Sequence, residues 1–336
     1  MGEEIYNNII NYIDSALSQK IYNEVSISWF GGEPLLSFDN IKAFMERVSM
    51  ICEKYEVSLS GSMTTNGYLL TKSVFEELIE LHINHYQITL DGTAESHDTT
   101  RKLRSGAGTW DVIWNNILNI NDSNSDFSVN IRINYAMKYI DSVIDFLDQY
   151  ASKLSSKFMF DFHTIFSTGE DGGQDALENK EFQTDYITAE ISDIELTAYA
   201  IQKGLRTIGM LNSIDAISGC YAAQPNHMVI DYDGTLRKCT VALENDINNV
   251  GKLTSVGLNV DNTKLALWTI PPALSDEKCI NCQQLPICYK NKCPLASIKN
   301  KNACFRDEFI GDKVYSILGN KSKLEEIRGK LTSNHE

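Results

Sequence analysis

Residues 29–34 read Trp-Phe-Gly-Gly-Glu-Pro and close a segment, residues 25–29, in which Val, Ile and Trp are separated by serines. Strict alternation of apolar and polar residues indicates a half-buried β-strand, and the glycines and proline after it indicate that the strand ends there. Helical patterns lie on either side, over residues 5–17 and 41–55. We therefore predict a strand that runs between two helices and places Glu33 at its carboxyl end.

The same alternation of strand and helix continues along the chain. We predict four more strands with helical segments between them, at 57–64, 84–90, 128–136 and 157–164. Strands that alternate with helices form parallel sheets with crossover helices, and ligand sites in such folds are built from the loops after the strands. We therefore expect Gly31–Glu33, Thr65–Gly67 and Thr89–Gly92 to lie on one rim.

The composition excludes some classes of function. The chain has 336 residues, and 30 basic against 45 acidic side chains give a net charge of −15. This acidic balance argues against binding to nucleic-acid phosphates. We find no apolar run long enough to span a bilayer and no export signal, so we expect a cytoplasmic protein with no nucleic-acid or membrane partner.

Cysteines divide the chain, because seven of the eight follow residue 219. Without an export signal, ligation of a metal or an iron–sulfur cluster is a better interpretation of these thiols than disulfide bonding. A structural zinc site with cysteine ligands remains an alternative. Cys52 lies on the apolar face of helix 41–55, and we interpret it as a small buried hydrophobic residue.

Asp233-Gly234 is a hairpin turn signal between strand patterns at 227–232 and 235–243. This prediction places Cys239 in the second strand of the hairpin. Residues 167–190 are long and polar, and they are typical of a linker or a substrate lid. A helix follows, with Ser192 and Glu195 as a possible capping box.

Five features together carry a family resemblance: residues 29–36, Thr64-Thr65-Asn66-Gly67, Thr89-Leu90-Asp91-Gly92, His97-Asp98-x-x-Arg101 and the cysteine pattern. The chain resembles radical SAM superfamily enzymes that carry a SPASM domain, which holds two auxiliary clusters. It is similar to peptide maturases and to anaerobic sulfatase-maturating enzymes. The resemblance implies an α/β fold, a partial (β/α)6 TIM-like barrel with a small cysteine-rich SPASM domain that includes a β-hairpin. The implied divisions are a barrel (1–165), a lid or linker with a helix (166–209), the SPASM domain (210–308) and a helical tail (309–336).

The resemblance also implies a site for S-adenosylmethionine (SAM). By position, Gly31 and Gly32 resemble the bend that admits the methionine moiety, and Glu33 resembles the acceptor for its ammonium group. The remaining implied contacts, to the ribose or the carboxylate, are Thr65, Asn66, Thr89 and Arg101. For Arg101 an ion pair with no role in binding remains an alternative.

Two auxiliary [4Fe–4S] clusters are implied in the SPASM domain. One would be held by Cys279, Cys282, Cys288 and Cys304. The other would be held by Cys220, Cys239 and Cys293, with a fourth iron that is open or has a ligand other than cysteine.

The family's Cys-x3-Cys-x2-Cys loop, which holds the SAM-cleaving cluster after the first barrel strand, has no counterpart here. We expect that the chain starts inside the domain and lacks that strand; a natural degenerate member is the alternative. In either case we expect the chain to be inactive alone.

The resemblance implies a radical SAM oxidoreductase that modifies a precursor peptide or protein, with electrons from a flavodoxin or ferredoxin. Sulfatase-maturing members have an aspartate base near the first auxiliary cluster, where this chain has Thr240, and a hydroxyl is a poor base. Thioether or carbon–carbon crosslinking of a ribosomal peptide is therefore favoured over formylglycine formation. A non-enzymatic iron–sulfur scaffold remains open, and the sequence assigns no catalytic residue.

Overall fold

The computed structural model describes residues 1–165, 186–208, 220–282, 285 and 293–300. The chain forms two compact units. Of the described residues, one unit contains 24–49, 57–165 and 186–208, and we call it the sheet unit. The other contains 1–23, 50–56, 220–282, 285 and 293–300, and we call it the cysteine-rich unit.

The sheet unit is built on five parallel strands in the order β1-β2-β3-β4-β5. Their bounds are Glu24–Trp29, Ser58–Thr65, Ile83–Thr89, Ser128–Tyr135 and Phe158–Thr164. The five predicted strands are confirmed. After β5, Thr207 makes a further parallel bridge to Phe160, so the edge beyond β5 is partly covered.

One face of this sheet is apolar and the other is polar. In β4, residues alternate between half-buried and fully buried positions, and β5 alternates in the same way. The register pairs buried residues of the two strands, such as Val129 with Phe158. The buried face packs against helices through aromatic pairs such as Trp29–Phe44 and Phe146–Phe160. Helices α1 to α7 are Glu3–Leu17, Phe38–Tyr55, Lys72–Glu80, Ala94–Thr100, Trp110–Asn121, Ile140–Gln149 and Tyr186–Gln202. This arrangement is consistent with the partial β/α barrel that the family resemblance implies.

The cysteine-rich unit contains a four-stranded antiparallel sheet, β6-β7-β8-β9. The strands are Val229–Ile230, Thr235–Arg237, Asn249–Thr254 and Gly257–Val260, and the helices α8 to α10 that follow are Asn262–Thr269, Glu277–Ile280 and Pro294–Lys299. The predicted hairpin is present as β6 and β7. Gly234 in its turn has φ +84°, a conformation that favours glycine.

Helix α1 belongs to the cysteine-rich unit. Its residues Ile5, Ile9 and Tyr12 pack against a buried cluster that includes Leu236 and Trp268. The sequence predicts the amphipathic helix but gives no partner for its apolar face, because that partner lies more than 200 residues away. The division of the chain at 165, 209 and 308 stays a prediction.

Two local predictions are wrong. Cys239 does not lie in a strand, because β7 ends at Arg237 and the next two backbone N–H groups bind a side chain instead of a neighbouring strand. Ser192 does not cap a helix, because α7 already begins at Tyr186. The predicted loop at 167–190 lies almost wholly outside the described residues, and the tail at 309–336 lies entirely outside them.

Candidate functional site

Glu33 joins the carboxyl ends of β1 and β2. Glu33 is the N-cap of a short 3-10 turn, Pro34–Ser37, and its Oε1 accepts the capping hydrogen bond from the Leu35 N–H at 3.0 Å. The same oxygen accepts a hydrogen bond from the Thr65 hydroxyl at 2.7 Å. Its Oε2 accepts the Asn66 N–H at 2.7 Å. The structure therefore brings together Glu33, Thr65 and Asn66, three of the residues predicted to bind SAM.

This carboxylate retains capacity for one more donor. A carboxylate has about four lone-pair positions, two on each oxygen. Oε1 receives two donors and Oε2 receives one, so one position on Oε2 is left for a ligand cation. The residues fit the ammonium group of a SAM methionine moiety.

The glycines before Glu33 leave space beside the carboxylate. A Cβ added at Gly31 or Gly32 would meet no atom within 4 Å. Gly31 has φ +154°, which side-chain-bearing residues rarely adopt. The backbone conformation at Gly31, and not a packing restriction, therefore favours glycine at this position, and the space beside it is open to a ligand.

Arg101 has a protein partner. Its Nε lies 2.5 Å from Asp91 Oδ2, and the two side chains are 39% and 10% exposed. Asp91 Oδ1 also accepts the backbone N–H of Asn134 near the end of β4, at 2.9 Å. Thr89 is the last residue of β3 and lies beside Arg132 in the register. The Arg101–Asp91 pair stabilises the turn after β3, and the predicted SAM contacts of Arg101 and Thr89 stay predictions.

His97 stabilises the same turn through hydrogen bonds from its buried side chain. It is fully buried, its Nδ1 accepts the Asp91 N–H at 3.1 Å, and its Nε2 lies 3.1 Å from the Thr109 hydroxyl. That hydroxyl donates to the Arg101 carbonyl at 2.7 Å. Burial lowers the pKa of His97 to about 4, so the imidazole is neutral with its proton on Nε2. The motif His97-Asp98-x-x-Arg101 was recognised in the sequence, but the hydrogen bonds by which His97 supports the turn after β3 are seen only in the structure.

Cys220 interacts electrostatically with two other predicted cluster ligands. Burial raises the pKa of the Cys220 thiol, and the nearby Cys293 and Cys239 raise it further. All three are free thiols in the cysteine-rich unit, brought from before β6, after β7 and before α10. The fold thus brings together residues that are more than 70 positions apart in the sequence. Within the described ranges, no three His, Cys, Asp or Glu side chains form a ready site for a single metal ion.

The second predicted set is described only in part. Cys279 and Cys282 lie in and just after the short helix α9, and the Cys282 N–H donates to the Cys279 carbonyl at 2.9 Å. This tight turn places both half-exposed thiols on one short segment. Cys288 and Cys304 lie outside the described residues.

Asn248 shapes the loop that carries Cys239, and the sequence analysis missed it. Its buried amide accepts the N–H groups of Lys238 and Cys239, both at 2.9 Å. It donates to the carbonyls of Cys239 and Ala242, at 2.7 and 2.9 Å. All four hydrogen-bonding positions of the amide are used, so the Cys239 backbone is held in one conformation.

Thr240 faces a tyrosine. Its hydroxyl lies 2.6 Å from the Tyr221 hydroxyl, which also accepts the Thr240 N–H at 3.1 Å. These contacts connect the residues that follow Cys220 and Cys239. Cys52 is 2% exposed on the apolar face of α2, and burial raises the pKa of its thiol, as expected for an inert core residue.

Residues 3–136 match the radical SAM superfamily. This match places a radical SAM domain in that part of the chain. A domain of this family is typical of oxidoreductase-type enzymes. No curated protein sequence matches the chain significantly.

Solved structures share the fold. Native anSMEcpe with bound AdoMet and Kp18Cys peptide superposes with a TM-score of 0.61 at 14% identity, over 95% of this chain and 91% of that one. Native anSMEcpe with bound AdoMet gives 0.63 at 15% identity, over 99% and 91% of the two chains. Streptococcus suis SuiB gives 0.52 at 18% identity, over 88% and 68%. At these identities, the comparisons establish only the fold that this chain shares with them.

None of the helices in the described part of the chain has the length and apolar character needed to cross a membrane. The cytoplasmic location expected from the sequence stays a prediction.

Proposed function

We propose that the protein is a SPASM-type radical SAM maturase that modifies a precursor peptide or protein. The observation that carries this proposal is the Glu33 arrangement: a carboxylate at the rim of a parallel sheet, with one free acceptor position and open space at Gly31 and Gly32. The fold shared with anSMEcpe, which is described with bound AdoMet and a peptide, supports the same ligands here.

The SAM site would use six further positions around Glu33. Gly31 and Gly32 admit the methionine moiety, and Thr65, Asn66, Thr89 and Arg101 contact its polar groups or the ribose. When bound with a SAM-cleaving cluster, SAM supplies the radical that removes hydrogen from a substrate. The protein's residues hold and orient the ligand.

Titration calorimetry with SAM tests this site directly. Glu33→Gln removes the negative charge, and a charge-assisted hydrogen bond is stronger than a neutral one, so we expect affinity to fall at least about tenfold. Glu24→Gln at the opposite end of β1, where Glu24 accepts the Ser60 hydroxyl at 3.0 Å, is the matched control and should bind as the wild type. Equal affinities in all three proteins would refute the proposed role of Glu33.

We propose two auxiliary [4Fe–4S] clusters in the cysteine-rich unit. The grouping of Cys220, Cys239 and Cys293 supports the first. The second would use Cys279, Cys282, Cys288 and Cys304. A zinc site is the competing possibility, and metal and sulfide analysis of protein prepared without oxygen separates the two. Iron with sulfide supports the clusters, whereas zinc without sulfide contradicts them.

Peptide crosslinking, as a thioether or a carbon–carbon bond, is the modification we favour. A cluster with three thiolates leaves one iron accessible to a substrate thiolate, and Thr240 beside Cys239 lacks the basicity that formylglycine formation needs. We expect the electron paramagnetic resonance spectrum of the reduced cluster to change with a cysteine-containing precursor peptide and not with its serine variant. The reverse preference, or a response to a sulfatase peptide alone, would favour the sulfatase-maturase alternative.

The sequence contains no Cys-x3-Cys-x2-Cys motif, so we propose that the chain by itself does not cleave SAM. A flavodoxin or ferredoxin is the reductant class that suits the auxiliary clusters. A non-enzymatic iron–sulfur scaffold that binds peptides is the second candidate, and the absence of that motif favours it.

A further inference from the structure

Lys238 is a fully buried lysine immediately before Cys239. Its side chain has 0% exposure, which is unusual for a charged residue. The ammonium group donates to the backbone carbonyl of Gln224 at 2.6 Å and to that of His227. The side chain therefore holds the segment after Cys220 against the segment that carries Cys239.

Among the residues that the structure describes, no carboxylate pairs with Lys238. Within the ranges that the structure describes, the ion pairs of the cysteine-rich unit, such as Arg237–Asp231 and Lys252–Asp233, do not include it. Removing a cation from water without an anion costs several kcal/mol, and two carbonyl dipoles offset only part of this cost. A negative charge close by would offset the rest of this cost.

The group that supplies such a charge is the thiol set. Cys220 interacts electrostatically with Lys238, and Cys239 and Cys293 interact with Cys220. As neutral thiols these residues offer no countercharge. As thiolates on an iron–sulfur cluster they form a site with net negative charge, and net charge and hydrogen bonding set the potential of such clusters.

We propose that Lys238 is the fixed countercharge of an anionic iron–sulfur site at Cys220, Cys239 and Cys293, and that it favours the reduced state of that cluster. This inference rests on the auxiliary cluster of the proposed function. Reduction adds one negative charge to the site, so a buried cation stabilises the reduced form more than the oxidised form. Lys238 would be a positioning and tuning residue that touches no substrate.

The experiment uses the full chain with Cys279→Ser and Cys282→Ser, so that the second cluster does not contribute to the signal. Lys238→Met removes the charge while keeping most of the side chain. Lys252→Met is the matched control, because Lys252 lies in the same unit with its side chain 48% exposed. After anaerobic reconstitution, iron and sulfide are measured, and each cluster is titrated with dithionite and followed by electron paramagnetic resonance.

We expect the ratio of reduced to oxidised cluster at a fixed potential to fall on the order of tenfold in Lys238→Met, as estimated for a buried charge several ångströms away. Lys252→Met should match the parent. A cluster whose titration is identical in Lys238→Met and the parent would overturn the inference and leave the cluster itself standing. A parent chain without iron would refute the cluster, and with it the countercharge.

A second set of variants keeps the proposal testable if Lys238→Met does not fold. In Lys238→Arg the charge is kept, so its cluster should titrate close to the parent. Cluster loading should also raise the melting temperature of the Lys238 parent more than that of a folded neutral variant such as Lys238→Gln. Equal gains in both proteins would contradict the countercharge role.

Discussion

Acidification should weaken the sheet unit through His97. Burial lowers the pKa of this imidazole to about 4 from a usual value of 6.5. Between these two values the unfolded chain binds a proton that the folded chain does not, so the free energy of unfolding falls as the pH falls. The contribution is complete above pH 6.5 and lost by pH 4.

The size of the effect follows from the two pKa values. One unit corresponds to 1.36 kcal/mol, so the full loss is about 3 kcal/mol, of which about 2 kcal/mol is lost by pH 5. Protonation also removes an acceptor, because Nδ1 of the imidazolium cannot receive the Asp91 N–H. The turn after β3 should therefore loosen first.

His97→Asn isolates this contribution. The asparagine Oδ1 can replace Nδ1 as the acceptor, but it does not titrate in this range. We expect the variant to be less stable than the wild type at pH 7, and the gap to narrow by about 2 kcal/mol at pH 5. His82→Asn is the control, since His82 is exposed and has φ +63°, a conformation that asparagine tolerates.

Urea unfolding read by pulsed hydrogen exchange in peptides from β3 and β4 measures the sheet unit by itself. The same experiment reports on the Asp91 amide directly. If the wild type and His97→Asn lose stability in parallel between pH 7 and pH 5, the imidazole does not supply the proton linkage, and its neutral state in the folded protein is disproved.

Three further predictions concern single features. Asn248→Ala leaves four buried backbone groups without partners and should cost about 3 kcal/mol in urea unfolding of the cysteine-rich unit, whereas exposed Asn249→Ala should cost under about 1 kcal/mol. Gly108→Ala would place a Cβ 2.1 Å from Asp98 Oδ2 and should lower the melting temperature, while Gly32→Ala, with no atom within 4 Å, should lower it less. Finally, the reconstituted chain with SAM and dithionite should form no 5′-deoxyadenosine by liquid chromatography, and its appearance would contradict the assignment of SAM cleavage to cysteines that the chain lacks.

The strands of the sheet unit could be predicted because the alternation of buried and exposed side chains depends only on neighbouring residues in the sequence. Alternation in β1 and β4 follows from one buried face, and a period of two is visible in the sequence itself. The meeting of Glu33 with Thr65 and Asn66 followed from the shared direction of parallel strands. These are consequences of backbone geometry.

The features that could not be predicted depend on partners far apart in the sequence. The backbone N–H of Cys239 binds the Asn248 side chain instead of a neighbouring strand. No local pattern indicates this, because Thr-Leu-Arg-Lys-Cys at 235–239 is still typical of a strand. β8 and β9 were missed because short strands with Gly, Lys and Asn have a weak alternating pattern. The ion pair between Arg101 and Asp91 likewise could not be predicted, because it depends on the conformation of the turn after β3.

The membership of α1 in the cysteine-rich unit has a consequence during protein synthesis. The helix leaves the ribosome well before β8, whose residues it packs against, and at 5–20 residues per second that delay is roughly 10–50 s. During that period the apolar side chains of Ile5, Ile9 and Tyr12 lack the residues that they pack against in the folded protein. A nascent chain stalled after β5 should therefore recruit chaperones through its first helix, and polar residues at those three positions should abolish that recruitment.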